Sequence, residues 1–176
     1  MQTIKAIETQ YKGYRFRSRL EARWAVFFDA LGIEWVYEPE GYDLGEAGWY
    51  LPDFLLSELN SWAEVKPYIL TSDELEKCYL LAKETRMPCL LLVDIPSPKV
   101  YGIFDPASND WLQNFKNGEI SQETDGGYPG GDYEIHYPNE KINFVSGKGT
   151  NFSRRKIQKA IVAARSARFE HGETPS

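Results

Sequence analysis

The chain has 176 residues, 42% hydrophobic and 14% aromatic, enough to bury one core and too apolar for wholesale disorder. Its formal charge of −6 argues against a general polyanion binder, because non-specific duplex affinity comes from Lys and Arg displacing counterions. No run approaches the roughly eighteen apolar residues of a membrane span, and the start, Met1-Gln2-Thr3-Ile4-Lys5, has no apolar leader, so a soluble cytoplasmic protein without membrane contact is expected.

The first informative stretch alternates Tyr11, Tyr14 and Phe16 with Lys12, Arg15 and Arg17, and adds Arg19, with no acid between Glu8 and Glu21. It reads either as a strand with one buried face or as rings that stack bases beside cations that hold phosphates. From Ser18, the apolar residues Leu20, Trp24, Phe27, Phe28 and Leu31 share one helical face, and Gly32 ends the helix. Ser18 suits the N-cap, and Glu21 stands where a carboxylate reaches back to it.

Ile33 to Tyr37 is rich in β-branched and aromatic residues and closes at Pro39 and Gly41 as a short strand. A strand over Trp49 to Leu56 and another over Trp62 to Val65, joined by Ser57-Glu58-Leu59-Asn60, should form an antiparallel hairpin that Pro67 terminates. Thr71 or Ser72 caps a second helix running to about Thr85, with Asp73, Glu74 and Glu76 in its first turn. Cys89-Leu90-Leu91-Leu92-Val93 reads as a strand buried on both faces, with Val100 to Phe104 beside it. Cys78 and Cys89 are not spaced for a metal and read as buried thiols.

Asp105 to Gly149 is loop chemistry, with a helical turn near Trp111 to Phe115 and a short strand over Tyr133 to Tyr137 as its weak signals; His136 in this loop and His171 in the terminal tail read as surface histidines. A last helix from about Ser153 to Phe169 packs Ile157, Ala160, Ile161 and Ala164 inward. Its bases Arg154, Arg155, Lys156, Lys159, Arg165 and Arg168 make either a phosphate track or an ordinary solvated face. The order predicts an α/β or α+β fold in one domain over 1–176: an αβββαβ core at about 11–105 with a mixed sheet flanked by helices, a variable insertion at 106–149 and a basic helix at 153–169.

Chemistry concentrates in Leu51-Pro52-Asp53-Phe54 and Ala63-Glu64-Val65-Lys66. Residues two apart share a strand face, so Glu64 and Lys66 point one way and Val65 the other. If Leu56 lies opposite Ser61, Asp53 comes opposite Glu64. Opposed carboxylates repel unless a cation offsets them, and magnesium, which favours oxygen ligands, suits Asp53, Glu64 and the Val65 backbone carbonyl. Metal-activated water with Lys66 to orient it or stabilise developing charge describes a phosphodiesterase. The plainer account is a Pro-Asp bend beside the solvent face of an edge strand.

Pro52-Asp53 followed by Glu64-Val65-Lys66 resembles the PD…(D/E)xK nuclease superfamily, which includes restriction endonucleases, phage resolving enzymes, transposon end-cleaving nucleases and repair nucleases. The resemblance extends over about residues 11 to 104. It implies a restriction-endonuclease-like sheet and DNA cleavage with magnesium or manganese, with Asp53 and Glu64 as metal ligands and Lys66 as the catalytic lysine. Many members carry an acid on the first helix, and Glu21 fits that place, as a ligand directly or through water, as well as fitting the capping role. Lys12, Arg15, Arg17 and Arg19, with Arg154, Arg155, Lys156 and Lys159, would then contact DNA, and a homodimer would supply two sites for double-strand cleavage. The alternative is a non-cleaving nuclease-fold module, of a phage or mobile element, that binds DNA or a protein.

Overall fold

The structure is a computed structural model in which residues 6–68, 70–96, 102–104, 141–143 and 151–169 are described, with backbone alone for 102–104, 141–143 and 151–154. Strands β1 (Thr9–Tyr11) and β2 (Tyr14–Phe16) form an antiparallel hairpin whose turn, Lys12-Gly13, has φ of +48° and +81°, the left-handed pair a tight two-residue turn demands. Tyr11 and Phe16 are buried in the main core. The two rings therefore serve packing, and of the two readings of this segment the buried strand face is the one found.

Helix α1 (Arg19–Leu31) starts at Ser18, whose side chain accepts the Glu21 N–H, and ends at Gly32 with φ +72°. The Gly32 N–H bonds the Asp29 carbonyl and the Ile33 N–H the Phe28 carbonyl, both at 2.9 Å, which is a Schellman ending. A Cβ at Gly32 would meet nothing closer than Lys156 Nζ at 3.8 Å, so only the backbone angle resists a side chain there. Gly32→Ala is accordingly expected to cost about 1–2 kcal/mol, read as a drop in Tm with the unfolding m-value unchanged.

Strand β3 (Trp35–Tyr37) is followed by a small antiparallel hairpin of β4 (Tyr42–Asp43) and β5 (Trp49–Tyr50) around a 3-10 turn at Gly45–Ala47. The chain then bends at Leu51 to Asp53 and resumes as β6 (Phe54–Leu56). This corrects the single strand expected over Trp49 to Leu56: β5 pairs with β4 in a separate sheet, and Pro52 between the two pieces has no N–H for a ladder. Strand β7 (Ser61–Lys66) pairs antiparallel with β6 in the expected register, Leu56 opposite Ser61.

Helix α2 (Ser72–Thr85) carries the chain back, so β8 (Cys89–Val93) lies parallel to β7, as a helical crossover requires, and β9 (Gly102–Phe104) closes that edge antiparallel. The result is a mixed five-stranded sheet in the order β3-β6-β7-β8-β9. Strands β10 (Lys141–Asn143) and β11 (Asn151–Ser153) form a further hairpin leading into α3 (Arg154–Ser166). The fold is mixed α+β, with this sheet and three α-helices among the described residues. The expected turn near Trp111, the strand over Tyr133 to Tyr137 and both histidines lie outside those residues.

Parity along the strands divides the sheet. Phe54, Leu56, Ala63, Val65, Leu90 and Leu92 face α1 and α3, while Trp62, Cys89, Leu91 and Val93 face α2. Helices α1 and α3 pack antiparallel: Arg23 near the start of α1 donates to the carbonyls of Ala164 (3.3 Å) and Arg165 (2.6 Å) in the last turn of α3, where a cation is favoured. The expected inward positions Ile157, Ala160, Ile161 and Ala164 are all buried. No helix among the described residues is long and apolar enough to cross a membrane.

Candidate metal and phosphate site

The bend that separates β5 from β6 lets the Asp53 side chain reach the edge of β7. Continuing the β6–β7 register beyond Phe54 opposite Ala63 sets Asp53 against Glu64 and Pro52 against Val65. Pro52 brings no N–H to the ladder, and the Asp53 side chain fills in on the other count, its Oδ2 accepting the Val65 N–H at 2.8 Å. The Val65 carbonyl, on the same strand edge as its N–H, thus faces a residue that cannot donate to it. The Asp53 N–H points to Glu64 Oε2 at 3.4 Å and its carbonyl accepts the Glu38 N–H at 2.9 Å.

Glu64 and Lys66 share the face expected of them, with Lys66 Nζ 2.7 Å from Glu64 Oε1, and Val65 packs into the opposite layer. Asp53 is 6% exposed and Glu64 2%, whereas the Lys66 side chain keeps 24% of its surface. The pair of acids is therefore sealed by the fold, while the Lys66 side chain is partly open. Burial, then the charges of Glu64 and Glu21, push the Asp53 carboxyl well above its usual range, against the Val65 N–H and the charge of Lys66. Burial alone would lower the Lys66 pKa, but the carboxylates of Glu64, Asp53 and Glu74 together hold it above its ordinary value.

Glu21, 8% exposed, is close enough to raise the Asp53 pKa, yet both its oxygens are engaged. Oε1 accepts the Ser18 hydroxyl at 2.6 Å; Oε2 accepts the Arg17 N–H at 3.2 Å and a short bond from the Tyr37 hydroxyl. The carboxylate thus reaches one residue beyond the cap, to Arg17 rather than to the Ser18 N–H of a capping box. Tyr37 also accepts the Arg17 N–H at 3.0 Å. As held, Glu21 fits a cation through water better than by direct ligation.

Comparison of the chain with protein-family models, with curated proteins and with solved structures finds no match. The chemistry must be read from the residues.

The donor set fits a hard cation in kind: three buried carboxylates stand near Lys66, and a buried excess of negative charge is costly unless a cation or a proton offsets it. It is not a ready-made cage, since no group of three His, Cys, Asp or Glu among the described residues is gathered closely enough to hold an ion by itself. The protein's share would be Asp53, Glu64 and the Val65 carbonyl, with water completing the shell.

The bases named as DNA contacts are dispersed. Lys12 pairs with Asp29 at 2.8 Å, Arg15 with Glu8 (Nε to Oε2, 3.0 Å) and Arg17 with Glu38, so a phosphate must compete with an acid for each. Arg19 opens α1. Lys156 lies beside Gly32, at the end of α1 away from Glu21, and eleven residues of helix rise about 16 Å. Exposed Arg155, Lys156 and Lys159 are therefore not gathered at the site, and the side chain of Arg154 lies outside the described ones. The antiparallel packing instead brings the end of α3, with Arg165 and exposed Arg168, to the Arg23 end of α1.

Three neighbours escaped the reading of the sequence. Tyr37, which holds Glu21, carries no local signal, because its hydroxyl finds its partner only through the packing of α1 on the sheet. Glu38 adopts φ +43° before Pro39, where an extended angle is favoured, and binds both Asp53 and Arg17. Glu74, legible only as an acid in the first turn of α2, comes within 3.9 Å of Lys66 Nζ.

Proposed function

We propose that this chain is a divalent-metal-dependent nuclease of restriction-endonuclease-like fold that hydrolyses phosphodiester bonds in DNA. The observation that carries the reading is the convergence of Asp53, Glu64 and Lys66 on one side of the β6–β7 pair, with the acids buried and the lysine side chain partly open. Supporting it are the proline opposite Val65 and the third carboxylate, Glu21, at the start of α1.

When bound, magnesium or manganese would lower the pKa of a water molecule and neutralise phosphate oxygens. Asp53 and Glu64 hold that charge at the sheet. Lys66, fixed by Glu64, presents its ammonium to the phosphate and stabilises the charge that develops there. Glu21, oriented by Ser18, Tyr37 and Arg17, adds its negative field to that of Asp53 and Glu64 and would reach the cation through water.

Supercoiled, single-stranded and branched DNA, each incubated with magnesium, manganese or EDTA, should be cut only with metal, and Lys66→Ala and Asp53→Ala should abolish cutting while remaining folded by circular dichroism. Binding without cleavage by the wild type would replace this reading with that of a DNA-binding module; neither binding nor cleavage would remove both.

A further inference from the structure

Lys66 has two carboxylates, not one. Besides Glu64 at 2.7 Å, Glu74 Oε1 lies 3.9 Å from its ammonium. Glu74 is itself held from several sides: its Oε2 accepts the Thr71 N–H at 2.8 Å and the Thr71 hydroxyl at 3.0 Å, and its Oε1 accepts the Tyr68 hydroxyl at 3.3 Å. The Thr71–Glu74 capping box would fix the start of α2 with any carboxylate or amide at this position. Capping alone therefore does not call for a charge, and the nearby Lys66 supplies the reason for one.

We propose that Glu74 is the positioning residue for Lys66, holding its ammonium beside the buried acid pair to which Glu64 is committed. This rests on the nuclease reading above. Glu64 has two demands on it: it lies against the Asp53 N–H and it pairs with Lys66. A lysine tethered to Glu64 alone would be loosened by whatever draws on that carboxylate. Glu74 comes from a different element, is anchored independently by Thr71 and Tyr68, and keeps the long lysine chain in one place.

Glutamine at 74 keeps the capping reach and deletes the charge, whereas alanine deletes both. With the most readily cut DNA, Glu74→Gln should lower kcat about tenfold, equivalent to 1.36 kcal/mol on the barrier, with KM little changed and Tm close to wild type. Glu74→Ala should lose the same kcat and also Tm. A purely capping role would instead leave Glu74→Gln at full kcat and overturn the proposal. A second readout needs no cleavage: in EDTA, the Tm losses of Lys66→Met and Glu74→Gln should sum to more than that of the double variant, by about a degree for a partly exposed pair. Additive losses would overturn the proposal whatever the kinetics. A wild type that shows the coupling but cuts nothing would overturn the nuclease reading and this role with it, whereas active wild type with unchanged Glu74→Gln overturns this role alone.

Discussion

Asp53→Asn should abolish cleavage and at the same time raise the melting temperature of the metal-free protein. Asparagine keeps an oxygen to accept the Val65 N–H and gains an amide that can donate to Glu64, which the wild-type carboxylate meets as a like charge. What it loses is a carboxyl that in the metal-free protein must either ionise beside two buried acids or take up a proton, so the apo fold gains. Magnesium should reverse the ranking. A cation at ten times its Kd stabilises the protein it binds by about 1.4 kcal/mol, roughly 3–6 °C for a chain of this size, and Asp53→Asn should forfeit that gain. Lys66→Met, in contrast, leaves the acids in place and should keep a metal response while losing about 10²–10³ in kcat, the scale of one removed transition-state donor. Melting curves of the three proteins in EDTA and in magnesium, beside cleavage rates, test this. A wild type indifferent to magnesium, or an Asp53→Asn variant that melts early in EDTA, would sink the idea of a cation between Asp53 and Glu64.

Phe54→Ala should be the most destabilising single truncation near the site. Phe54 is fully buried, sits between β3 and β7 in the sheet, and packs its ring against Phe28, Trp35 and Tyr37 with centroids 5.4, 5.8 and 5.4 Å away. Its removal opens a cavity that neighbours held by two strands and a helix cannot collapse into, at a cost of about 3–5 kcal/mol and roughly 6–20 °C in Tm. Because Phe54 follows Asp53 directly, activity measured well below that Tm should also fall, through a looser Asp53. Urea unfolding gives the size of the loss; a change under about 1 kcal/mol would mean the aromatic cluster is not the support it is taken for.

Several features were legible before any coordinates. The Ser18 cap and Gly32 stop of α1, the hairpin register that sets Asp53 against Glu64, and the inward stripe of α3 depend on local propensity and on periods of 2 and 3.6, which neighbouring residues impose by themselves. The break at Pro52 was less so. Its signal was present, but that β5 would leave the sheet for β4 depended on a competing partner.

What the chain order determined by itself is therefore the three helices, the β6–β7 hairpin, the buried strand β8 and which strand face bears Glu64 and Lys66, because alternation along a strand leaves no choice once register is given. Tertiary packing alone decided who stands around them. Tyr37 reaches Glu21 across the α1–sheet contact, Glu74 reaches Lys66 because the α2 crossover begins where β7 ends, and the start of α3 is carried away from the site by its antiparallel course along α1. Side-chain reach is a few ångströms, so such meetings depend on how whole elements are laid together.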